Sequence, residues 1–202
     1  EKGCFSGGAV EWQGKQLLLY TGVMPENDGE IQQQCMAVGD GRDYTKASAP
    51  VLPCEQQPEG YSRRDFRDPF LFTRDGILYM LLGGRGKNGH GRLLLYRNAA
   101  PLDPNSRWEF VQILAENDGS LGSMWECPNL FELEGRTVVI ISPQFVRQTA
   151  DNRYHCGNDT AALIGSWEGP GTPFVQQADT PLDSGLDFYA PQTLETPDGR
   201  RV

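Results

Sequence analysis

The sequence predicts an all-β chain made of repeated four-stranded sheets, set radially as the blades of a propeller. Three observations carry that prediction. Four stretches repeat one pattern, a short apolar or β-branched run, a Gly-containing turn and a second run, which is the signal of a hairpin. When Pro69 is set on Pro128, Asp75-Gly76 falls on Glu134-Gly135 without a gap. The segments between hairpins also match, each reading as a third strand, a loop and a fourth strand.

In chain order, Phe5-Ser6-Gly7-Gly8-Ala9-Val10 runs to a turn near Gln13-Gly14 and returns as Gln16–Tyr20. Cys4 reads as buried packing, and the two glycines either ease a strand start or let backbone approach a ligand. Pro50 to Arg64 reads as a polar loop without chemistry of its own. Arg67-Asp68-Pro69-Phe70-Leu71-Phe72 opens the second hairpin, which turns at Asp75-Gly76 and returns as Ile77–Leu82. Gly83 to Gly91 is read as a hairpin turn; it opens no helix, so it is not a phosphate-cradling loop. Arg92–Tyr96 and the Trp108–Ala115 segment complete that unit.

A Gly/Ser loop, Asn117 to Met124, delivers the chain to Trp125-Glu126-Cys127-Pro128-Asn129-Leu130-Phe131, the third hairpin. Thr160–Ile164 and the Pro173–Leu182 segment complete it. Asp183 to Tyr189, with Asp187, leads into a fourth copy, Tyr189-Ala190-Pro191-Gln192-Thr193-Leu194, that turns at Asp198-Gly199. The first residue is Glu1 and the last, Val202, falls within a strand pattern, so the expectation is a piece of a longer chain.

Composition narrows the function. A net charge of −9 argues against nucleic acid, whose phosphates need a basic patch, and suits a neutral sugar. No apolar run is long enough to span a bilayer, so no membrane partner is expected. Cys4, Cys35, Cys54, Cys127 and Cys156 form an odd set without paired close spacings, which suits a reducing, cytoplasmic compartment better than a disulfide framework or zinc. With His90 and His155 as its two histidines, the chain is a poor candidate for a nucleophile–His triad.

In a propeller the first strand of each blade lies innermost, so the openings of these strands gather at one end of the channel. There Asp68, Glu126 and Arg67 would converge, although distant in sequence. Two carboxylates beside an arginine fit glycoside hydrolysis, and Trp125 would be the apolar neighbour that keeps one acid protonated. One feature resists this. The gapless alignment places Glu126 on Arg67 and Cys127 on Asp68, so strict alternation sends the two acids to opposite faces.

Phe5-Ser6-Gly7-Gly8-Ala9-Val10, Arg67-Asp68-Pro69, Trp125-Glu126-Cys127-Pro128 and Asp187–Gln192 resemble the ordered motifs of glycoside hydrolase family 32. These are invertases, sucrose-6-phosphate hydrolases and fructan hydrolases, retaining enzymes on a five-bladed β-propeller. The resemblance implies that residues 1–202 are an incomplete catalytic propeller of about three to four blades. It implies a fructose-containing sugar as partner, Glu126 as general acid/base, and Asp68 as a transition-state stabiliser that holds fructosyl hydroxyls. Arg67 would assist Asp68, Phe5 and Ser6 would line the fructose site, Cys127 would tune Glu126, and Asp187 and Tyr189 would contact substrate. No cofactor and no metal is implied, since the chemistry uses carboxylates.

The family's nucleophile, an aspartate in an Asn-Asp-Pro-Asn-type motif, lies upstream of the Phe-Ser motif and outside this sequence, as do the end of the last blade and a C-terminal β-sandwich. Arg85 and Lys87 are the candidates for recognising a phosphorylated sugar. A fructosyltransferase, an arabinan-type propeller glycosidase and a non-catalytic carbohydrate-binding propeller are the alternatives.

Overall fold

The computed structural model describes residues 3–27, 29–147, 152–154 and 157–202; His155 and Cys156 lie outside the described residues. The first sheet runs β1 (Gly3–Trp12), β2 (Lys15–Glu26), β3 (Gly29–Gly39), β4 (Tyr44–Lys46). A 3-10 turn, Cys54–Gln56, leads into the second: β5 (Tyr61–Arg74), β6 (Ile77–Gly86), β7 (Gly91–Asn98), β8 (Glu109–Glu116). The third is β9 (Met124–Leu133), β10 (Arg136–Gln144), β11 (Ala161–Ser166), β12 (Val175–Pro181). Within each sheet, strands adjacent in sequence pair antiparallel. After β12 a single bridge joins Glu195 to Arg201 where the fourth hairpin is expected. β1 packs on β5 and β5 on β9, so the chain is all-β, three blades of a propeller and the start of another.

The middle sheet is covered on both faces, which is why β6 and β7 read as unbroken apolar runs. Leu78, Met80 and Leu82 face the first sheet, where they cluster with its Leu17 and Leu19 and with Phe66 of their own sheet. Tyr79 and Leu81 face the third, against Trp125, Val139 and Ile141. This is period-two alternation along one strand, and each fully buried leucine stabilises the stack by about 1.5–3 kcal/mol.

The hairpins share two backbone devices. Their turns have both central residues left-handed: Gln13 and Gly14 at φ 51° and 73°, Asp75 and Gly76 at 51° and 73°, Glu134 and Gly135 at 51° and 74°. That is the type I′ turn that matches strand twist. At the other end, each first strand carries one extra residue relative to its partner. Register shifts between Cys4 and Gly7, between Arg67 and Phe70, and between Glu126 and Asn129, the last seen on β10 as Ile140 and Ser142. These are β-bulges, which re-aim side chains. Pro69 and Pro128 sit inside two of them, where no ladder N–H is needed.

Four local expectations change. Cys4 is exposed, near the start of an edge strand. The Pro50 to Arg64 loop is shorter than expected, because β5 begins at Tyr61 and pairs it with Gly86. Gly83, Gly84 and Gly86 belong to β6, and the turn is confined to residues 87–90. A Cβ at Gly83 would lie 2.0 Å from the Trp125 carbonyl oxygen, so glycine there admits the next blade. Gly8 serves backbone packing too: its Cβ would meet the Pro69 carbonyl oxygen at 2.8 Å.

Candidate active site

Counting back from the turns, Phe5, Arg67 and Glu126 are equivalent, and so are Ser6, Asp68 and Cys127. Asp68 (φ 61°) and Cys127 (φ 47°) are left-handed although neither is glycine. Ala190 (φ 56°) precedes Pro191 in the same way, which makes Tyr189 the counterpart of Arg67 and Glu126 in the fourth copy. Left-handed non-glycine residues cost of order 1–3 kcal/mol each unless their surroundings hold them.

The residues before these left-handed positions meet. Arg67, buried at 7% exposure, donates from Nε to Glu126 Oε1 at 2.6 Å. Its Nη1 donates to Gln32 Oε1 at 3.1 Å and Asp65 Oδ1 at 3.4 Å, and its Nη2 to Gln144 Oε1 at 3.1 Å. The Tyr189 hydroxyl donates to the other Glu126 oxygen, Oε2. Three consecutive copies therefore supply one hydrogen-bonded row, and both oxygens of Glu126 are held. Phe5, from the first copy, joins Gln32, Arg64, Asp65, Arg67 and Glu126 around a hollow of about 570 Å³.

Asp68 lies behind the row, 6% exposed. Its N–H donates to Thr21 Oγ1 at 3.0 Å; the Thr21 hydroxyl donates to Gln34 Oε1 at 2.8 Å; Gln34 Nε2 donates to the Phe66 carbonyl at 2.9 Å. Its carboxylate Oδ2 accepts the Cys127 N–H at 3.0 Å, with Cys127 Sγ at 3.5 Å. The alternation problem is thereby resolved. The left-handed residue in each bulge breaks the period, so the Asp68 carboxylate reaches the peptide next to Glu126.

Burial raises the Asp68 carboxyl above its ordinary range; the Cys127 amide opposes this and the Glu126 charge adds to it. Burial also works against the Arg67 charge, but Glu126 first, then Asp65 and Asp68, outweigh it and hold the guanidinium above its usual value. Burial followed by the neighbouring Asp68 pushes the Cys127 thiol up, and burial followed by the bond to Glu126 does the same for the Tyr189 phenol.

Not every expected residue joins. Ser6 and Asp187 are exposed and do not line the hollow. Cys127 directs its amide and thiol to Asp68 and not to Glu126. Trp125, adjacent in an extended strand, points away from Glu126 into the core, where its Nε1 donates to the Leu121 carbonyl at 2.8 Å. It cannot be the apolar neighbour of that acid. Arg85 and Lys87 are not in the wall; Lys87 lies 3.8 Å from Glu59 on the surface. Unexpected participants are Arg64, Asp65, Gln144 and the trio Thr21, Gln32 and Gln34. The signal for the trio was polar side chains at inward positions of otherwise apolar strands, all 3% exposed or less.

Residues 1–202 match the model of the glycosyl hydrolases family 32 N-terminal domain. The sequence is 36% identical to the sucrose-6-phosphate hydrolase of Bacillus subtilis, covering 100% of this chain and 41% of the relative. It is 35% identical to the raffinose invertase of Escherichia coli, over 99% of this chain and 41% of that protein. A Bombyx mori GH32 beta-fructofuranosidase mutant in complex with sucrose superposes with a TM-score of 0.84 at 36% identity, over 96% of this chain and 41% of that one. The sucrose-6-phosphate hydrolase of Lactobacillus gasseri also gives 0.84, at 33% identity, over 98% and 40%.

Proposed function

Since the chain belongs to glycosyl hydrolase family 32, we propose that the protein carrying it is a retaining β-fructofuranosidase acting on sucrose, its 6-phosphate or a fructan. The observation that supports this most is the row Arg67–Glu126–Tyr189, drawn from three successive copies of the repeat, with Arg67 and Glu126 in the wall of the hollow and Asp68 behind them.

Glu126 is the general acid/base. It protonates the glycosidic oxygen as the fructosyl–oxygen bond breaks, while an aspartate nucleophile takes the anomeric carbon and forms a covalent fructosyl-enzyme. Glu126 then removes a proton from the water that releases fructose. Arg67 and Tyr189 fix the carboxylate so that one orientation serves both steps. Asp68 accepts hydrogen bonds from fructosyl hydroxyls and stabilises the developing positive charge. The nucleophile is assigned to the family's upstream Asn-Asp-Pro-Asn-type motif, so these 202 residues alone turn over no sucrose.

The test is turnover of sucrose, sucrose 6-phosphate, inulin and levan by the full-length protein and its Glu126→Gln variant. A hydrolase loses about 10²–10⁴-fold in rate with the amide. A propeller that only binds sugar shows no turnover to lose and keeps its affinity, and that result ends this reading.

A further inference from the structure

Gln32 lies in the middle of β3 with 3% of its surface exposed. Its side-chain oxygen accepts two hydrogen bonds, from the Phe66 N–H at 3.0 Å and from Arg67 Nη1 at 3.1 Å. Two donors converging on one atom fix which end of the amide is oxygen. The amide nitrogen at the other end donates to no described residue, and the side chain lines the hollow beside Phe5 and Glu126. Gln34, two residues along, makes the contrast: its nitrogen is spent on the Phe66 carbonyl.

The amide nitrogen is not sealed off from the hollow, and a donor pair without a protein partner at the wall of a ligand site is a feature that a ligand completes. The required ligand atom is an acceptor. The wall sets three acids, Glu30, Asp65 and Glu126, against two arginines, Arg64 and Arg67, and this acidic balance favours a neutral acceptor over an anion. We infer that Gln32 is a substrate-binding residue that donates its side-chain N–H groups to a hydroxyl oxygen of the bound saccharide while its oxygen anchors Arg67. This rests on the hollow being the fructoside site.

The experiment measures kcat and KM on sucrose for the full-length wild type, Gln32→Met and Gln144→Met. Both variants remove one hydrogen bond from the Arg67 guanidinium, but Gln144 does not line the hollow; Gln32→Met also strands the Phe66 N–H, so Gln32→Glu, which keeps that acceptor, is measured beside it. The expected result is a further loss of about tenfold in kcat/KM for Gln32→Met, with a raised KM. Equal losses mean that Gln32 only anchors Arg67, and overturn the inference. Should Gln32→Met melt without a folded baseline, Gln32→Glu decides: it keeps the acceptor for Phe66 and Arg67 and removes the donors. A folded Gln32→Glu protein with wild-type kcat/KM overturns the inference; a loss of about tenfold or more supports it. Wild type inactive on every fructoside removes the underlying functional reading instead.

Discussion

Three left-handed residues, Asp68, Cys127 and Ala190, stand at the same point of successive copies, and the N–H of one is capped by a different kind of group from the other two. Thr21 Oγ1 caps Asp68 at 3.0 Å, and Ser142 Oγ caps Ala190 at 3.1 Å. Thr21 and Ser142 occupy equivalent positions on the second strands β2 and β10, counted from their turns. In the middle interface that position is Gly83, which must be glycine to admit the Trp125 carbonyl. Here the Asp68 carboxylate caps the Cys127 N–H. At two interfaces a neutral hydroxyl does the structural work. At the third a buried charge does it, and that charge is the proposed stabiliser of the transition state.

On the proposed function, the comparison gives Asp68 two duties which favour different side chains. Structure needs only an acceptor, which an amide supplies; catalysis needs the negative charge. Asp68→Asn separates them, and it is the largest effect expected. Activity of the full-length enzyme falls by about 10²-fold or more, as for removal of a donor or charge aimed at the transition state. Stability moves the other way. The folded pKa of Asp68 is raised above its unfolded value, so its favourable contribution is present below about pH 4 and is lost as pH rises through the folded pKa. At neutral pH the wild type therefore bears a cost that asparagine lacks, and the variant melts higher. The gap closes as pH falls through the carboxylate range. A variant that melts lower at pH 7 breaks the comparison, because the charge would then be stabilising the cap.

Thr21→Val sharpens the comparison from the hydroxyl side. It is isosteric, yet it strands the Asp68 N–H and the Gln34 oxygen in a fully buried position, at about 1–3 kcal/mol per unmatched group. Asp68 then loses the bond that holds its left-handed backbone, and kcat of the full-length enzyme is expected to fall about tenfold, with KM little changed. Thr21→Ser restores the hydroxyl and should restore kcat. A Thr21→Val protein with normal kcat and lowered stability would reduce the cap to a purely structural part.

The hairpins were legible in the sequence because their turns announce themselves: glycine occupies the second left-handed position of each, and the flanking runs alternate or are wholly apolar. The equivalence of Arg67 with Glu126 was legible from the same alignment. Its meaning was not, because period-two alternation holds only where the backbone is regular, and bulges at Asp68 and Cys127 break it. Alternation applied to Trp125, which is extended, would have sent it away from Glu126 correctly. Gln32 and Gln34 drew no reading from the sequence; the groups they serve, Phe66 and Arg67, lie 32 to 35 residues further along the chain and in another sheet. Sequence spacing within one strand has no access to that.

The smallest effect lies at the other end of the same hairpin. Glu134 is left-handed at φ 51°, as Asp68 is at 61°, but it sits in an exposed turn with Gly135 after it. Asparagine is the residue this turn favours at its first central position. Glu134→Asn should therefore stabilise the protein by about 0.5 kcal/mol, read as a small rise in melting temperature, with kcat/KM unchanged. The strain at Asp68 cannot be relieved in the same way, since the side chain that would relax the backbone removes the charge. If Glu134→Asn alters kcat/KM, then turn geometry reaches Glu126 along β9 and the bulge does not fix its register independently. If it alters stability alone, the two left-handed positions differ only in what their side chains are required to do.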